Sequence, residues 1–280
     1  MGKLKKIIKK ILRATVPLSM RKGVIIWLNK QEWINLKTRY WWTVEALRDF
    51  AQKDTDEYHK YLWNNHLAYA ETYDIEKRFG DNGLELSRQF FFDELEKQLK
   101  NMNLKPDEDI HSVFELGCSL GYQLRFMEQS LFPAASILRG IDIDRYAIQQ
   151  GQQFLKGVGS RVEIDYGDME KLDDLLVDQK FDIFIATGVL LYLNENSTKK
   201  IIRKMLDHTN VLVALSGLAY FEEDNKNLVR SKMRERDQTF IHNFDSMISN
   251  EGGKVIFRRW EGDKMYNGHT IYFVFGVPLH

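Results

Sequence analysis

From residue 110 onward, short apolar runs alternate with segments whose apolar residues recur every three to four positions. A short apolar run between turn signals is typical of a buried strand, and the longer spacing is typical of an amphipathic helix. Strands separated by helices predict a parallel sheet with right-handed crossovers. The predicted strands are 111–116, 136–142, 161–166, 181–187 and 211–216, and the predicted helices are 122–130, 144–157, 170–178 and 195–209.

Two further apolar runs close the chain, at 254–260 and 269–277, and the turn-rich stretch EGDKMYNG separates them. No helix fits between these runs, so we expect them to pair as an antiparallel hairpin at the edge of the sheet. The predicted fold class is therefore α/β, with a doubly wound, mostly parallel sheet of seven strands and an antiparallel C-terminal hairpin.

The pattern before residue 110 is different. Residues 24–107 combine apolar spacing near the helical period with many aromatic residues, and they lack strand-like alternation. Such a segment is compatible with a cap over a substrate and with the core of a helical subdomain, and the subdomain is the favoured interpretation. The stretch LKPDED at 104–109 indicates a linker. We therefore predict a helical N-terminal extension over 1–107 and a second domain over 108–280.

The first 13 residues, MGKLKKIIKKILR, place apolar side chains on one helical face and lysines on the other. A basic amphipathic helix of this kind can lie on an anionic membrane surface. The same apolar stripe can equally pack on the chain's own domain, and both interpretations stay open. Lys9, Lys10 and Arg13 interrupt the region that would be apolar in a secretory signal. The apolar stripe consists of Leu4, Ile7, Ile8, Ile11 and Leu12.

Composition narrows the class of protein and its location. Of the 280 residues, 44% are hydrophobic, but no run approaches the roughly 20 apolar residues that cross a bilayer. The one cysteine, Cys118, can form neither an internal disulfide nor a cysteine-rich metal site. We expect a cytoplasmic protein without a metal centre, with the N-terminal helix as its candidate contact with a membrane.

Charge is balanced over the whole chain but unevenly distributed. Residues 1–31 hold nine Lys and Arg and no acid, whereas the rest holds 31 basic and 40 acidic residues. Nucleic-acid binding needs a basic face that replaces counterions. The acidic body therefore argues against DNA or RNA as a partner.

The first predicted strand of the second domain ends in the stretch VFELGCSLG at 113–121. In doubly wound sheets, ligands bind at the carboxyl ends of the strands. Gly117 and Gly121 would let the backbone approach a ligand closely. The spacing differs from the dinucleotide fingerprint G-x-G-x-x-G, because Ser119 stands where the second glycine would be.

Four motifs in order resemble those of class I S-adenosylmethionine-dependent methyltransferases. They are ExGxxxG from Glu115 to Gly121, GIDID at 140–144, YGDME at 166–170 and FDIFIATGVLLYL at 181–193, and a strand hairpin follows them. The resemblance covers about residues 110–280. It implies a Rossmann-like fold, S-adenosylmethionine as cofactor and transfer of a methyl group.

The resemblance also implies which residues meet the adenosine part of the cofactor. Asp142, at the end of the second strand, matches the acid that accepts hydrogen bonds from the ribose hydroxyls, and a carboxylate offers two acceptor oxygens. Asp168 matches the contact to the adenine amino group, Met169 the backbone donor to the ring, and Ile143 the residue that packs on the adenine face. Capping of the following helix is the other role open to Asp142 and is the role expected of Asp144; Asp168 is otherwise a turn residue.

Other matching positions belong to the methionine part of the cofactor. Gly117 and Cys118 would line it, and Thr187 and Gly188 would face it from the fourth strand. Glu115 is expected to support the loop, and Cys118 is a small apolar filler rather than a nucleophile. The stretch AYAETYD resembles the lid that such enzymes fold over the cofactor, with Tyr73 preferred to Tyr69 as its contact.

The acceptor leaves a weaker signal. A carboxylate or phenolate attacks a methyl group directly, whereas a sugar hydroxyl needs a base within hydrogen-bond reach. The candidate bases are His66, on a predicted helical face that Tyr73 shares, and His242; a structural role is the alternative for both. His208 is expected to be structural, late in a helix.

The region 217–250 often forms the acceptor pocket in such enzymes. Its charge-dense stretch RSKMRERDQTF could present Arg234 or Arg236 to an anionic acceptor, although a solvated helix face is the favoured interpretation. Arg258 and Arg259 should point to opposite sides of their strand.

We therefore expect a methyltransferase that acts on a small molecule, most simply by O-methylation of a sugar or glycan hydroxyl. The order of a basic amphipathic start, a helical region and this domain is similar to methyltransferases of bacterial polysaccharide and sugar-nucleotide biosynthesis. The alternatives are a membrane-surface lipid or quinone methyltransferase and a noncatalytic scaffold of the same fold. A nicotinamide-dependent oxidoreductase is disfavoured by the glycine spacing.

Overall fold

A computed structural model describes residues 15–31, 33–68, 74–80, 84–266 and 268–279. The chain divides into two compact units. The first holds residues up to Glu71 together with Glu235–Gln238, and the second holds Thr72–Arg234 and Thr239–His280. The division after Glu71 differs from the boundary predicted at residues 107/108, and residues 74–80 and 84–107 cluster with the second unit.

In the first unit, the described residues form four helices around a small apolar core. Its helices are α1 Leu18–Asn29, α2 Leu36–Ala46, α3 Arg48–Lys53 and α4 Thr55–Asn64. Asn35 caps α2 and Asp54 caps α4, each by accepting a backbone N–H in the first turn. The core is Ile25, Leu47, Ala51, Tyr58, Leu62 and Leu67.

The helical face expected through His66 does not form. α4 ends at Asn64, and His66 has a left-handed backbone with φ +53°. The N–H of Asn65 donates to the carbonyl of Tyr61, and the N–H of His66 donates to the carbonyl of Trp63. These two bonds form a tight turn at the C-terminal end of the helix. The predicted lid contact, Tyr73, lies outside the described residues, as does the amphipathic segment 1–13.

The second unit begins with helices and continues as an alternation of strands and helices. The first helices are α5 Ile75–Phe79, α6 Leu86–Asn101 and α7 Pro106–Asp109. The elements that follow are β1 Ser112–Leu116, α8 Tyr122–Phe126 with a π-helical extension Met127–Leu131, β2 Ile137–Asp142, α9 Arg145–Gly157, β3 Glu163–Tyr166, α10 Leu172–Leu175, β4 Phe181–Thr187, α11 Glu195–Asp207, β5 Thr209–Ser216, β6 Lys232–Arg234, β7 Thr239–Ile241, α12 Phe244–Asn250, β8 Gly253–Tyr266 and β9 His269–Pro278.

The sheet has seven strands in the order β3-β2-β1-β4-β5-β9-β8. The first five are parallel, β9 runs antiparallel to β5, and β8 pairs with β9 at the edge. This arrangement confirms the predicted fold class, including the terminal hairpin. The order reverses direction between β1 and β4, so the carboxyl ends of these strands flank the crevice where ligands bind in such sheets.

Alternation along the strands supplies an apolar core on each face. Val113 and Ile185 point to one face, where α6, α8 and α9 cover them, and Phe114 and Phe184 point to the other, where α10, α11 and α12 pack. Because both faces are covered, all five residues of β1 are buried.

The charge-dense stretch at 230–240 is not a helix, which corrects that prediction. β6 and β7 form a separate antiparallel pair in which Arg234 lies opposite Thr239. Arg236 lies in the turn, with its guanidinium 5.8 Å from the ring centre of Trp41. The prediction failed because two short polar strands have no apolar periodicity, and nothing in their sequence distinguishes them from a solvated helix.

Among the helices that the structure describes, none combines the length and the apolar character that a bilayer span requires.

Candidate functional site

The turn between β1 and α8 is held against the neighbouring strand β2. The backbone N–H groups of Gly117 and Cys118 both donate to the carbonyl of Ile141, at 2.8 and 3.1 Å. Gly117 has φ +67°, and a Cβ at this position would lie 2.5 Å from Cγ2 of Val189. Only glycine satisfies both the left-handed backbone and this close approach. Gly121 then caps α8 with φ +78°.

Asp142 ends β2 and joins this turn to the next one. Its Oδ2 accepts the N–H of Ser119 and its Oδ1 accepts the N–H of Asp144, both at 2.8 Å. Burial raises the pKa of Asp142 to about 6, although these backbone donors act in the opposite direction. The group is therefore mainly a carboxylate at neutral pH, and each oxygen can accept a further hydrogen bond.

Asp144 is the cap of α9, as expected. Its Oδ1 accepts the N–H groups of Tyr146 and Ala147, at 2.9 and 3.2 Å. The two nearby acids therefore have different roles. Asp144 is buried and caps the helix, whereas Asp142 lies half-buried at the end of the strand.

Asp168 follows β3 and begins a short 3-10 helix at Met169. Its carboxylate accepts the N–H of Glu170 at 3.0 Å, which is the turn role considered for it. Asp168, Met169 and Ile143 are all half-buried near the ends of β2 and β3. Their contacts with adenine stay a prediction.

A buried polar network connects the ends of β1 and β4. Glu115, which has no exposed surface, accepts Nε2 of Gln123 on Oε1 at 2.7 Å. Gln123 also donates to Oγ1 of Thr187 at 2.8 Å. Burial raises the pKa of Glu115 to about 8, and nearby Arg88 only partly opposes this shift. Glu115 Oε2 has no hydrogen-bond partner among the described residues.

Gly188, directly after β4, turns its backbone toward Arg88. It has φ +66°, its N–H donates to the carbonyl of Ser216 at 3.0 Å, and a Cβ here would lie 3.9 Å from Nη2 of Arg88. The guanidinium of Arg88 therefore faces the end of β4, beside the carboxyl of Glu115.

Arg88 belongs to a cluster of charges that converge on Glu85. Nη1 of Arg88 and Nη2 of Arg78 donate to Glu85 at 3.2 and 3.0 Å, and Nε2 of His269 lies 2.7 Å from Oε2 of the same carboxylate. Burial raises the pKa of Glu85, but His269 and both arginines outweigh it and lower the pKa to about 2. Nε of Arg88, and Nε and Nη1 of Arg78, are buried without a hydrogen-bond partner in the described part of the chain.

Sequence reasoning missed Arg88, Arg78 and Gln123. Arg88 and Arg78 lie on helices 27 and 37 positions before Glu115, inside a region assigned to the N-terminal extension. Gln123 is two residues past Gly121, and this position was the one signal that the sequence offered. Its burial is a property of the fold.

His242 is placed inside the second unit and its ring is fully engaged. The side chain is 2% exposed; Nε2 donates to the carbonyl of Leu190 at 3.1 Å, and Nδ1 accepts the hydroxyl of Ser231 at 2.7 Å. Burial lowers the pKa of His242 to about 4. This neutral ring holds the segment that follows β4 rather than presenting a nitrogen to a substrate.

The remaining predicted side chains divide between the units. His66 lies in the first unit. Arg258 pairs with Asp245 and Asp224, whereas Arg259 stacks 4.7 Å from the ring centre of Phe90, which confirms that they leave opposite sides of β8.

Cys118 and His208 have structural surroundings. Burial raises the pKa of the Cys118 thiol well above its usual range, so the thiol stays protonated. Nδ1 of His208, at the C-terminal end of α11, lies 2.6 Å from the carbonyl of Gln179. No group of three His, Cys, Asp or Glu side chains among the described residues is arranged to hold a metal ion.

Comparison of the sequence with family models matches residues 113–211 to the model of the methyltransferase domain. This stretch includes the turn after β1, Asp142, Asp168 and the end of β4. A comparison with curated proteins found no match.

Solved structures with the same fold include several methyltransferases. The magnesium protoporphyrin IX methyltransferase of Synechocystis PCC 6803 with bound S-adenosylmethionine is 14% identical, with 80% of this chain and 97% of that chain covered and a TM-score of 0.55. The CcbJ methyltransferase of Streptomyces caelestis is 14% identical, with 76% and 100% covered and a TM-score of 0.52.

An S-adenosylmethionine-dependent methyltransferase from Clostridium acetobutylicum ATCC 824 is 10% identical, with 74% of this chain and 96% of that chain covered and a TM-score of 0.51. At these identities the likeness establishes the fold. The resemblance drawn from the four motifs is thus confirmed at the level of domain and fold.

Proposed function

We propose that the protein is an S-adenosylmethionine-dependent methyltransferase that acts on a small molecule. The observation that carries this proposal is the glycine turn after β1, closed onto β2 and tied by Asp142 through the N–H of Ser119. This geometry lies within the stretch that matches the methyltransferase domain model.

The residues present fit the cofactor. Gly117 and Gly188 both have positive φ, which glycine adopts without strain where a backbone approaches a ligand closely. Oε2 of Glu115 and Nε of Arg88 are buried polar atoms without a partner in the described residues. Such atoms are costly when buried unless a ligand satisfies them. The amino acid end of S-adenosylmethionine carries one ammonium and one carboxylate: Oε2 of Glu115 would accept a hydrogen bond from the ammonium, and Nε of Arg88 would donate one to the carboxylate.

We assign the two ends of the cofactor accordingly. Asp142 would accept the ribose hydroxyls, with Ile143 on the adenine face and Asp168 and Met169 at its edge. Gly117, Cys118, Gly121, Thr187 and Gly188 would line the methionine part. When bound, the cofactor supplies a methyl group on a sulfonium, and transfer requires in-line alignment with the acceptor.

Arg88 is proposed to bind the carboxylate of the methionine part, with Glu85 holding its guanidinium in place. The charge-assisted bond from Arg to a carboxylate is stronger than a neutral one. Glu115 is proposed to support the loop and to accept the ammonium. Tyr73 remains proposed as the lid contact.

Calorimetric titration with S-adenosylhomocysteine tests the cofactor site. We expect binding by the wild type and a loss of about tenfold or more in Asp142→Ala, because a charged hydrogen-bond acceptor contributes roughly 1.5–3 kcal/mol. Asp174→Ala, at an exposed acid of α10, is the matched control and should bind as the wild type does. Absence of binding by the wild type, or equal affinity of Asp142→Ala, refutes the proposal.

A second titration separates the two ends of the site. 5′-Methylthioadenosine shares the nucleoside of S-adenosylhomocysteine but lacks the amino acid. Arg88→Met should weaken S-adenosylhomocysteine and leave methylthioadenosine unchanged, whereas Asp142→Ala should weaken both ligands. Equal loss of both ligands in Arg88→Met contradicts the assignment of Arg88.

For the acceptor we propose a sugar or glycan hydroxyl, which makes the reaction an O-methylation. The support is the order of the chain, namely a basic amphipathic start, a helical region and the catalytic domain. A lipid or quinone acceptor is the second candidate, and the exposed apolar side chains of Trp27, Trp33 and Leu36 in the first unit favour it. Incubation with S-adenosylmethionine and either nucleotide sugars or quinones in vesicles, followed by mass spectrometry, distinguishes them by which substrate gains a methyl group.

A hydroxyl acceptor requires a base. The engaged ring of His242 favours a positioning role, in which it fixes Leu190 beside the crevice. His66 remains proposed as the base, and His66→Gln should then remove the acidic limb of the rate profile while cofactor affinity stays unchanged. An unchanged profile argues against this role.

A further inference from the structure

The helix α1, in the first unit, displays apolar side chains on a face that is not packed against the core of the unit. Met20, Val24 and Trp27 are spaced as i, i+4 and i+7 and therefore share one face of α1. These three side chains are 62%, 53% and 59% exposed. We name this face the α1 stripe.

The helix is held in this orientation by its other face. Ile25 is buried in the core of the unit, and the guanidinium of Arg21 donates to Asp49 at 2.5 and 2.7 Å and to the carbonyl of Val16 at 3.0 Å. Rotation of α1 to hide the stripe would break the ion pair of Arg21 with Asp49 and expose the buried Ile25.

The apolar surface continues after α1. Trp33, in the connection to α2, is 79% exposed, and Leu36 at the start of α2 is 58% exposed. Five large apolar side chains within 17 positions exceed the scattered single exposures that are ordinary on a protein surface. Tryptophan is enriched where one side of a surface meets water and the other meets lipid.

The charge of the same part of the chain identifies the occupant. Residues 1–31 contain nine Lys and Arg and no acid, while the rest of the chain is net acidic. A protein partner would be expected to match this charge with an acidic patch, but an apolar surface combined with an excess of cations fits an anionic bilayer, which offers both contacts at once.

We infer that the α1 stripe, with Trp33 and Leu36, binds the surface of an anionic membrane. The stripe enters the headgroup region, and the excess of Lys and Arg in this part of the sequence attracts anionic lipids. The contact is peripheral, and it is independent of whether the second unit transfers a methyl group.

Flotation of the full chain with vesicles tests this inference. One set of vesicles is phosphatidylcholine alone, and the other is phosphatidylcholine mixed with phosphatidylglycerol. We expect binding to the mixed vesicles, little binding to neutral ones, and weakening as salt is raised, because screening shortens the reach of the charges to about 10 Å at 0.1 M.

The variant M20S/V24S/W27S removes the stripe and should bind mixed vesicles about tenfold or more weakly, since binding scales with the apolar area buried. The matched control is V177S/V229S/L279S, which replaces three exposed apolar residues of the second unit and should bind as the wild type does. Circular dichroism of both variants checks that the helices remain.

Three results overturn the inference. The wild type fails to bind mixed vesicles; or the stripe variant binds them as well as the wild type, which transfers the role to other residues. The third is concentration-dependent dimerisation by sedimentation velocity that the stripe variant abolishes, without vesicle binding, which makes a second copy of this chain the occupant.

Discussion

Replacement of Gly117 by alanine tests the physical reason for the turn after β1. Two costs arise at this position. A residue with a side chain pays about 1–2 kcal/mol for the left-handed backbone that Gly117 adopts at φ +67°. The new Cβ would also lie 2.5 Å from Cγ2 and 2.7 Å from Cβ of Val189, and rotation of the valine cannot move its own Cβ away.

The second cost is that of overpacking, about 1–3 kcal/mol. We therefore expect Gly117→Ala to lower the free energy of unfolding by roughly 2–5 kcal/mol. Alanine substitutions at two other glycines separate the backbone cost from the packing cost. Gly159 has φ +63° with nothing within 4 Å of a built Cβ, so alanine there pays the backbone cost alone.

Gly140 carries the opposite combination, because it lies in β2 without a positive φ but a Cβ there would lie 2.7 Å from Cβ of Cys118. Gly140→Ala should therefore pay only the packing cost. Urea unfolding followed by circular dichroism measures all three variants. A Gly117→Ala variant no less stable than Gly159→Ala refutes the claim that Val189 and the backbone together require glycine.

Three further predictions concern buried charge. The pKa of Glu115 is raised to about 8 from a usual 4.5, so the folded state binds an extra proton between these two pH values. This group therefore makes the free energy of unfolding fall as pH rises from about 4.5 to 8, by at most about 1.4 kcal/mol per pH unit. Glu115→Gln should remove this slope in urea titrations. His242 has the opposite sign: its pKa, lowered to about 4, makes stability fall as pH drops from 6.5 to 4, and His242→Gln should remove that loss. Glu85→Gln leaves the guanidiniums of Arg78 and Arg88 without their carboxylate and should cost about 3–5 kcal/mol of stability, with a smaller loss in the double variant that also carries Arg78→Met.

Strands of the sheet could be located from the sequence because burial on both faces leaves an uninterrupted apolar run. The run FDIFIAT coincides with β4, Phe181–Thr187, and the other predicted strands overlap their observed counterparts. The 14 residues of β8 extend beyond the predicted 254–260, because its far part, EGDKMY, is polar and lacks the apolar run by which the other strands were located. Periodicity could not separate β6 and β7 from a helix.

The candidate site was predictable in the part that local chemistry determines. Glycines in turns and acids at strand ends can be recognised from the few residues around them, as Gly117 and Asp142 can. Arg88 was not predictable in this way, because its role depends on Glu115, which is brought to it by packing of α6 on the sheet. A long-range pairing of charges leaves no periodic trace in the sequence.

The arrangement of Glu115 and Arg88 explains why such charges are tolerated in the core. Within the described part of the chain, one oxygen of the fully buried Glu115 carboxyl and the buried Nε of Arg88 have no hydrogen-bond partner, and unsatisfied buried polar groups cost about 1–3 kcal/mol each. The acceptor on Glu115 and the donor on Arg88 are therefore both unused, and the two side chains are close enough to interact electrostatically. Under the proposed function, a zwitterionic amino acid end satisfies both at once. The cost to the free protein is then recovered on binding, so the same pair that destabilises the fold provides the selectivity for a ligand that carries an ammonium and a carboxylate on one carbon.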